Sequence, residues 1–235
     1  RRIHPPLSTR YDADAGHDVP LGHHARPHWR GRVHLLALWL FVPAMVVLIV
    51  AADGARARVG CIVYALGLCS MFAVSTIYHR WVHDLRARAA WRRADHAVIF
   101  AAIAGSATPL ALVSMAPATG LALVLGLWAA SAAGVLLKLG HWHHGDVAGT
   151  VLYFVVSLLA AATLPAVAHQ SGGWPVALCV ASGAVYVVGA VLFGFKRPQL
   201  RPGVFSYHES WHVFTVLAAA THFVAVWWVC VSPGA

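Results

Sequence analysis

His208 and His212 stand four residues apart at the head of the stretch 205–222, FSYHESWHVFTVLAAATH. On an α-helix that spacing puts both imidazoles on one face, about 6 Å apart along the axis. No Asp, Glu, Lys or Arg follows from Val213 to the end of the chain. The pair therefore sits at the mouth of an apolar helix long enough to cross a membrane, where a polar side chain is costly without a partner. Two imidazoles on one helical face are half of a common zinc site. Spacing alone favours the plainer reading, an interfacial helix start whose histidines are hydrogen-bonded, so the rest of the chain must decide.

The elements that would position such a pair are membrane spans. The 235 residues are 60% hydrophobic and only 11% charged, against about 25% charged in soluble domains. Seven apolar segments stand out, over 34–52, 59–78, 95–116, 119–139, 147–167, 174–195 and 207–231. Each is about 18 to 25 residues, the length a helix needs to span a bilayer. Turn chemistry separates them: Asp53-Gly54, Pro117, Gly145-Asp146, Gly172-Gly173, and Arg197-Pro198 with Pro202-Gly203. Pro43 and Pro109 fall inside spans, where membrane helices tolerate them. The expected fold is an all-α integral membrane protein, with one seven-helix transmembrane domain over 34–235 and no internal repeat. Residues 1–33 are polar and rich in Arg, His and Pro. They lack the apolar core of a cleavable signal, so a retained, flexible basic tail is expected.

Net charge is +9, but the basic residues flank apolar spans. That points to topology and anionic lipid headgroups rather than nucleic acid. Fifteen of them fall on one side, in the tail, the second, fourth and sixth connections; only Arg56 and Arg58 fall on the other. The imbalance predicts a cytoplasmic N-terminus and, with seven spans, a C-terminus outside. The arginines from Arg86 to Arg93 belong to this signal.

Orientation then makes a prediction about chemistry. The second span ends on the cytoplasmic side with Ser75 and His79, again four apart; the third starts there with Asp95; the seventh starts there with His208 and His212. Ionisable groups at one membrane depth face the bundle interior and find one another. His79, His208 and His212 supply three neutral nitrogens, which suits zinc. Three protein ligands leave a position for water, the pattern of catalytic rather than structural zinc. Asp95 is then placed as a general base, with Ser75 orienting it. Asp95 reads equally as a helix N-cap, and both roles can hold.

These residues carry a resemblance. Ser75-Thr-Ile-Tyr-His79, Asp95-His-Ala-Val-Ile followed by Ala104-Gly-Ser-Ala-Thr-Pro109, and His208-Glu-Ser-Trp-His212 resemble the hemolysin III family. That family groups with the progestin and adipoQ (adiponectin) receptors. The resemblance covers nearly the whole apolar region; no counterpart is placed for the first thirty or so residues. It implies seven helices with zinc near the cytoplasmic face, held by His79, His208 and His212. Asp95 matches the aspartate that reaches zinc through water, and Ser75 the serine one turn before the first histidine. Alkaline ceramidases in the wider superfamily are similar and cleave a lipid amide. Bacterial relatives are associated with membrane lipid fluidity, and the family name with red-cell lysis.

Three readings follow. The first is a zinc-dependent hydrolase of a membrane lipid amide or ester, in the plasma membrane, with Asp95 moving the proton. The second is a zinc-stapled sensor or receptor-like protein, and the third a pore. Other histidines are set aside: His141, His143 and His144 as a solvated loop, His23 and His24 as tail, His96 as pointing away from the site. Glu209 is rotated from the histidine face. His222 lies about 15 Å deeper than His212 and is expected to hydrogen-bond to a neighbouring helix. Cys61, Cys69, Cys179 and Cys230 lie singly in apolar runs and read as small core residues. No nucleotide, serine-hydrolase or haem motif occurs in the sequence.

Overall fold

The computed structural model describes residues 27–140, 145–201 and 203–231. Within them the chain forms α1 (Arg32–Ala51), α2 (Gly54–Arg80), α3 (Leu85–Ser114), α4 (Pro117–Leu139), α5 (Gly145–Ala161), α6 (Leu164–Ser171), α7 (Gly173–Gly194) and α8 (Tyr207–Val231). With α5 and α6 taken together as one span, seven spans are long and apolar enough to cross a membrane. A helix satisfies its own backbone, which is why apolar runs of this length fold this way in hydrocarbon. Apolar residues also cover the outside: Trp39, Leu40 and Val50 on α1 and Leu158 on α5 are all more than two-thirds exposed. Water would penalise that surface; lipid does not.

Each helix turns one stripe inward. On α1 the stripe is His34, Ala37, Phe41, Met45 and Leu48. It meets Tyr64 and Phe72 of α2 and Val226 of α8 in the main core. Phe100 and Ala104 of α3, Leu127 of α4 and Val156 of α5 form a second core.

The α2–α3 contact matters most for the site. A Cβ added at Gly60 would lie 2.6 Å from Pro109 Cα, and one at Gly67 would lie 2.5 Å from the Ala101 carbonyl. Only glycine allows this approach, as is usual between membrane helices. The helices run antiparallel, so carrying the register Gly60–Pro109 and Gly67–Ala101 toward the far end of α2 sets Ser75 opposite Asp95.

Three expected boundaries move. The third helix begins at Leu85, ten residues before Asp95, because Asp84 caps it: Ala87 N–H donates to Asp84 Oδ1 at 2.9 Å. The Arg- and Ala-rich stretch before Asp95 is made of good helix formers. The fifth span is broken between α5 and α6, because Pro165 lacks the N–H that would continue the helix. The second helix starts five residues early, at Gly54, where φ is +77°. Within the expected tail, 27–31 is packed: the N–H groups of His28 and Trp29 donate to the carbonyls of Gly203 and Val204, each at 3.1 Å.

Candidate metal centre

His79 lies in the last turn of α2; His208 and His212 lie in the first two turns of α8. One ring nitrogen from each gathers so that all three lie within 4.8 Å of one another. Among the described residues this is the one such group of three or more His, Cys, Asp or Glu donors. His79 Nε2 and His208 Nε2 are 3.2 Å apart. His79 and His212 are buried and His208 is half-buried.

The donor set fits a metal ion. Two nitrogens each about 2.05 Å from a tetrahedral zinc stand about 3.3 Å apart, close to the 3.2 Å observed for His79 and His208. His79 and His208 pack face to edge with centroids 4.6 Å apart, and His212 is tilted against both, at 4.7 Å from His208 and 5.1 Å from His79. Three imidazoles with no thiolate favour zinc or another borderline transition ion over calcium or magnesium.

Asp95 stands beside the cluster, its Oδ2 3.7 Å from His79 Nε2 and its side chain partly exposed. The Ser75 hydroxyl, buried one turn before His79, hydrogen-bonds to it. Asp95 sits well inside α3, so the N-cap role expected from its position is overturned; Asp84 holds that role. The five residues singled out in the sequence therefore meet in space. A wall of rings continues from the cluster: Phe193 of α7 contacts His208 at 5.6 Å and Trp211 at 5.7 Å, and Tyr186 contacts Trp211 at 5.0 Å.

The start of α8 is fixed by a capping box, Ser206-Tyr-His-Glu209. Ser206 N–H and Oγ–H both donate to Glu209 Oε2, at 2.7 and 2.6 Å, and His208 N–H donates to Ser206 Oγ at 3.3 Å. The other carboxylate oxygen accepts from Arg30 Nε in a fully buried ion pair. Gly31, at φ +72°, turns the chain from Arg30 into α1. A side chain there would meet Arg80 Cγ at 2.7 Å and His79 Cβ at 3.0 Å. Sequence reasoning left Glu209 without a task and missed Arg30 altogether. The capping-box pattern was the available signal for Glu209; nothing local pointed to Arg30.

His34 of α1 was missed too. Its ring stacks on that of His212, with centroids 3.9 Å apart and planes within 5°. Elsewhere, His222 Nε2–H donates to the Ser106 carbonyl on α3 at 3.1 Å, the interhelical bond expected of it. His96 turns to its own helix, Nδ1 lying 2.8 Å from the Arg92 carbonyl. The four cysteines are free, two buried and two half-buried. His23, His24, His141, His143 and His144 lie outside the described residues.

Comparison with known proteins agrees with the motifs. The sequence model of the Haemolysin-III related family matches residues 23–223. It thus reaches back into the stretch for which no counterpart was expected. Hemolysin-3 of Bacillus cereus is 26% identical over 82% of this chain and 86% of its own length. The hemolysin-3 homolog of Bacillus subtilis is 26% identical over 84% and 91%. The monocyte to macrophage differentiation factor of Homo sapiens is 27% identical over 80% and 79%. The resemblance read from three motifs thus extends over most of the chain, which is a multi-pass membrane protein and belongs to the Haemolysin-III related family.

Proposed function

We propose that the protein is a zinc-dependent hydrolase of membrane lipid amides or esters, working at the cytoplasmic face of the plasma membrane in lipid homeostasis. The observation that carries this reading is the meeting of three imidazole nitrogens with a carboxylate 3.7 Å from one of them. His79, His208 and His212 would hold the ion. Bound there, zinc would supply Lewis-acid polarisation of a carbonyl. Asp95 Oδ2 takes a proton from the attacking water and returns it to the departing amine or alkoxide. The Ser75 hydroxyl donates to Asp95 and fixes its rotamer. The rings of Phe193 and Trp211 offer an acyl chain an apolar wall next to His208. Anionic headgroups meet the basic connections on the same side.

Purified protein in liposomes tests this directly. Hydrolysis of ceramide-type amides and of lipid esters is measured for wild type and Asp95→Ala at equal zinc loading. Equal rates in the two would sink the mechanism.

A second reading has its own observation. The cluster ties α2 to α8 at a point where residues 129 apart in sequence touch, so zinc could serve as a staple in a sensor or receptor-like protein. In that case Asp95→Ala keeps function while His208→Ala loses stability. The pore reading finds less support: Tyr64, Phe72, Phe100 and Leu127 fill the interior, each under 2% exposed.

A further inference from the structure

α1 contributes none of the three clustered imidazoles, yet it carries a buried histidine three residues into the helix. His34 is 4% exposed and packs against two rings: Phe72 of α2, tilted, at 5.1 Å, and His212 of α8, stacked, at 3.9 Å. We propose that His34 is a positioning residue, setting the ring plane of His212 and thereby the direction of the third metal-ligating nitrogen. The inference rests on the metal reading of the cluster and deepens it.

Hydrogen bonding fixes which way His34 faces. Its Nε2 lies 3.0 Å from Thr215 Oγ1. The single hydroxyl proton of Thr215 is already given to the His212 carbonyl, at 2.9 Å. Oγ1 must therefore accept, and His34 Nε2–H must donate. One side chain is thus anchored to the helical turn that carries His212 while its face lies flat on the His212 ring. His212 is confined on that face by His34 and elsewhere by the rings of His79 and His208, 5.1 and 4.7 Å away. Neighbours that orient a ligating histidine commonly act through a hydrogen bond to its second nitrogen; here a stacked ring, itself held by Thr215, does so.

The same bond exposes a liability. With the proton on Nε2, the Nδ1 of His34 keeps its lone pair, is buried, and has no hydrogen-bond partner. Burying an unpaired acceptor costs stability. A residue serving only to fill space between Phe72 and His212 would be better made of phenylalanine, which stacks without that loss. Histidine gains one thing over phenylalanine here, the bond to Thr215.

That contrast supplies the test. Metal-free and zinc-loaded protein are prepared as wild type, His34→Phe, Thr215→Val and, as control, His208→Ala. Zinc affinity is read by chelator competition, ligand geometry by the visible absorption of the cobalt-substituted protein, and stability by thermal unfolding. His34→Phe should leave metal-free unfolding level with wild type or raise it. It should still weaken zinc binding by about 10-fold or more, the size seen when a residue supporting a ligand is lost. Thr215→Val should move affinity the same way, and both should alter the cobalt spectrum. Zinc affinity within about twofold of wild type in both variants, with unchanged spectra, overturns the proposal, since it falls far short of that loss. If wild type binds no stoichiometric zinc, or His208→Ala binds it as well as wild type, the metal reading itself fails and this inference goes with it.

Discussion

Replacing Glu209 by alanine tests how the first turn of α8 is held in place. Glu209 is 1% exposed and Arg30 5%, so the truncation strands a guanidinium in the interior. Breaking a buried ion pair from one side costs about 3–5 kcal/mol. The same carboxylate accepts from Ser206 N–H and Oγ–H, and losing such a cap adds about 1 kcal/mol. Together the expected loss is about 4–6 kcal/mol. At about 2–4 °C per kcal/mol for a chain of this size, Tm should fall by about 10–20 °C. Arg30→Leu should be similarly damaging, because it leaves the carboxylate alone. The double variant Arg30→Leu with Glu209→Leu should recover most of the pair's share, since a hydrophobic replacement of a buried pair is often neutral. Thermal unfolding of wild type, Arg30→Leu, Glu209→Leu and the double variant in one detergent, followed by tryptophan fluorescence, closes the double-mutant cycle, with Glu209→Ala measured beside them. If Glu209→Ala melts within a few degrees of wild type, or if the double variant falls by the sum of the singles, the ion pair does not anchor α8 as argued.

Other expectations follow from the same geometry. His208→Ala should lose bound zinc, and with it the ligand-linked stabilisation of about 2.7 kcal/mol expected at zinc concentrations about 100 times Kd; metal analysis and Tm with and without added zinc check this. Gly67→Ala pushes a methyl to within 2.5 Å of the Ala101 carbonyl and should destabilise by about 1–3 kcal/mol. It should also spread α2 from α3; on the proposed hydrolase reading, lipid hydrolysis in liposomes then falls further than Ser75→Ala alone would lower it. Single cysteines placed at Ser8 and Ser232 in a background without the four native cysteines should be labelled from opposite sides of intact cells. Labelling of both from one side refutes the seven-span orientation drawn from the arginines.

Much of the site was legible because a membrane makes it so. An ionisable residue in an apolar run stands out, and the cost of burying it alone means that His79, Asp95, His208 and His212 must have partners. Where boundaries slipped, the reason was local and physical. The segment 85–94, with Arg86, Arg88, Arg92 and Arg93, reads as a connection because it is basic, but it is the first part of α3, started by Asp84. Asp95 consequently lies on the flank of a helix, opposite Ser75, instead of at its tip.

The sequence by itself determined seven membrane-length helices, because apolar length is a direct consequence of bilayer thickness. It also picked out the five residues that gather at the candidate metal centre, because Ser75 with His79 and His208 with His212 are spaced one turn apart and the alternation of spans puts both pairs at the depth of Asp95. Only the tertiary structure decided what braces them. Arg30 meets Glu209 across 179 residues, and His34 reaches Thr215 across 181. Pairings at that separation depend on which helices lie side by side and in what register. That is settled by the close approach of small residues and by the filling of the core, which the spacing along one helix does not encode.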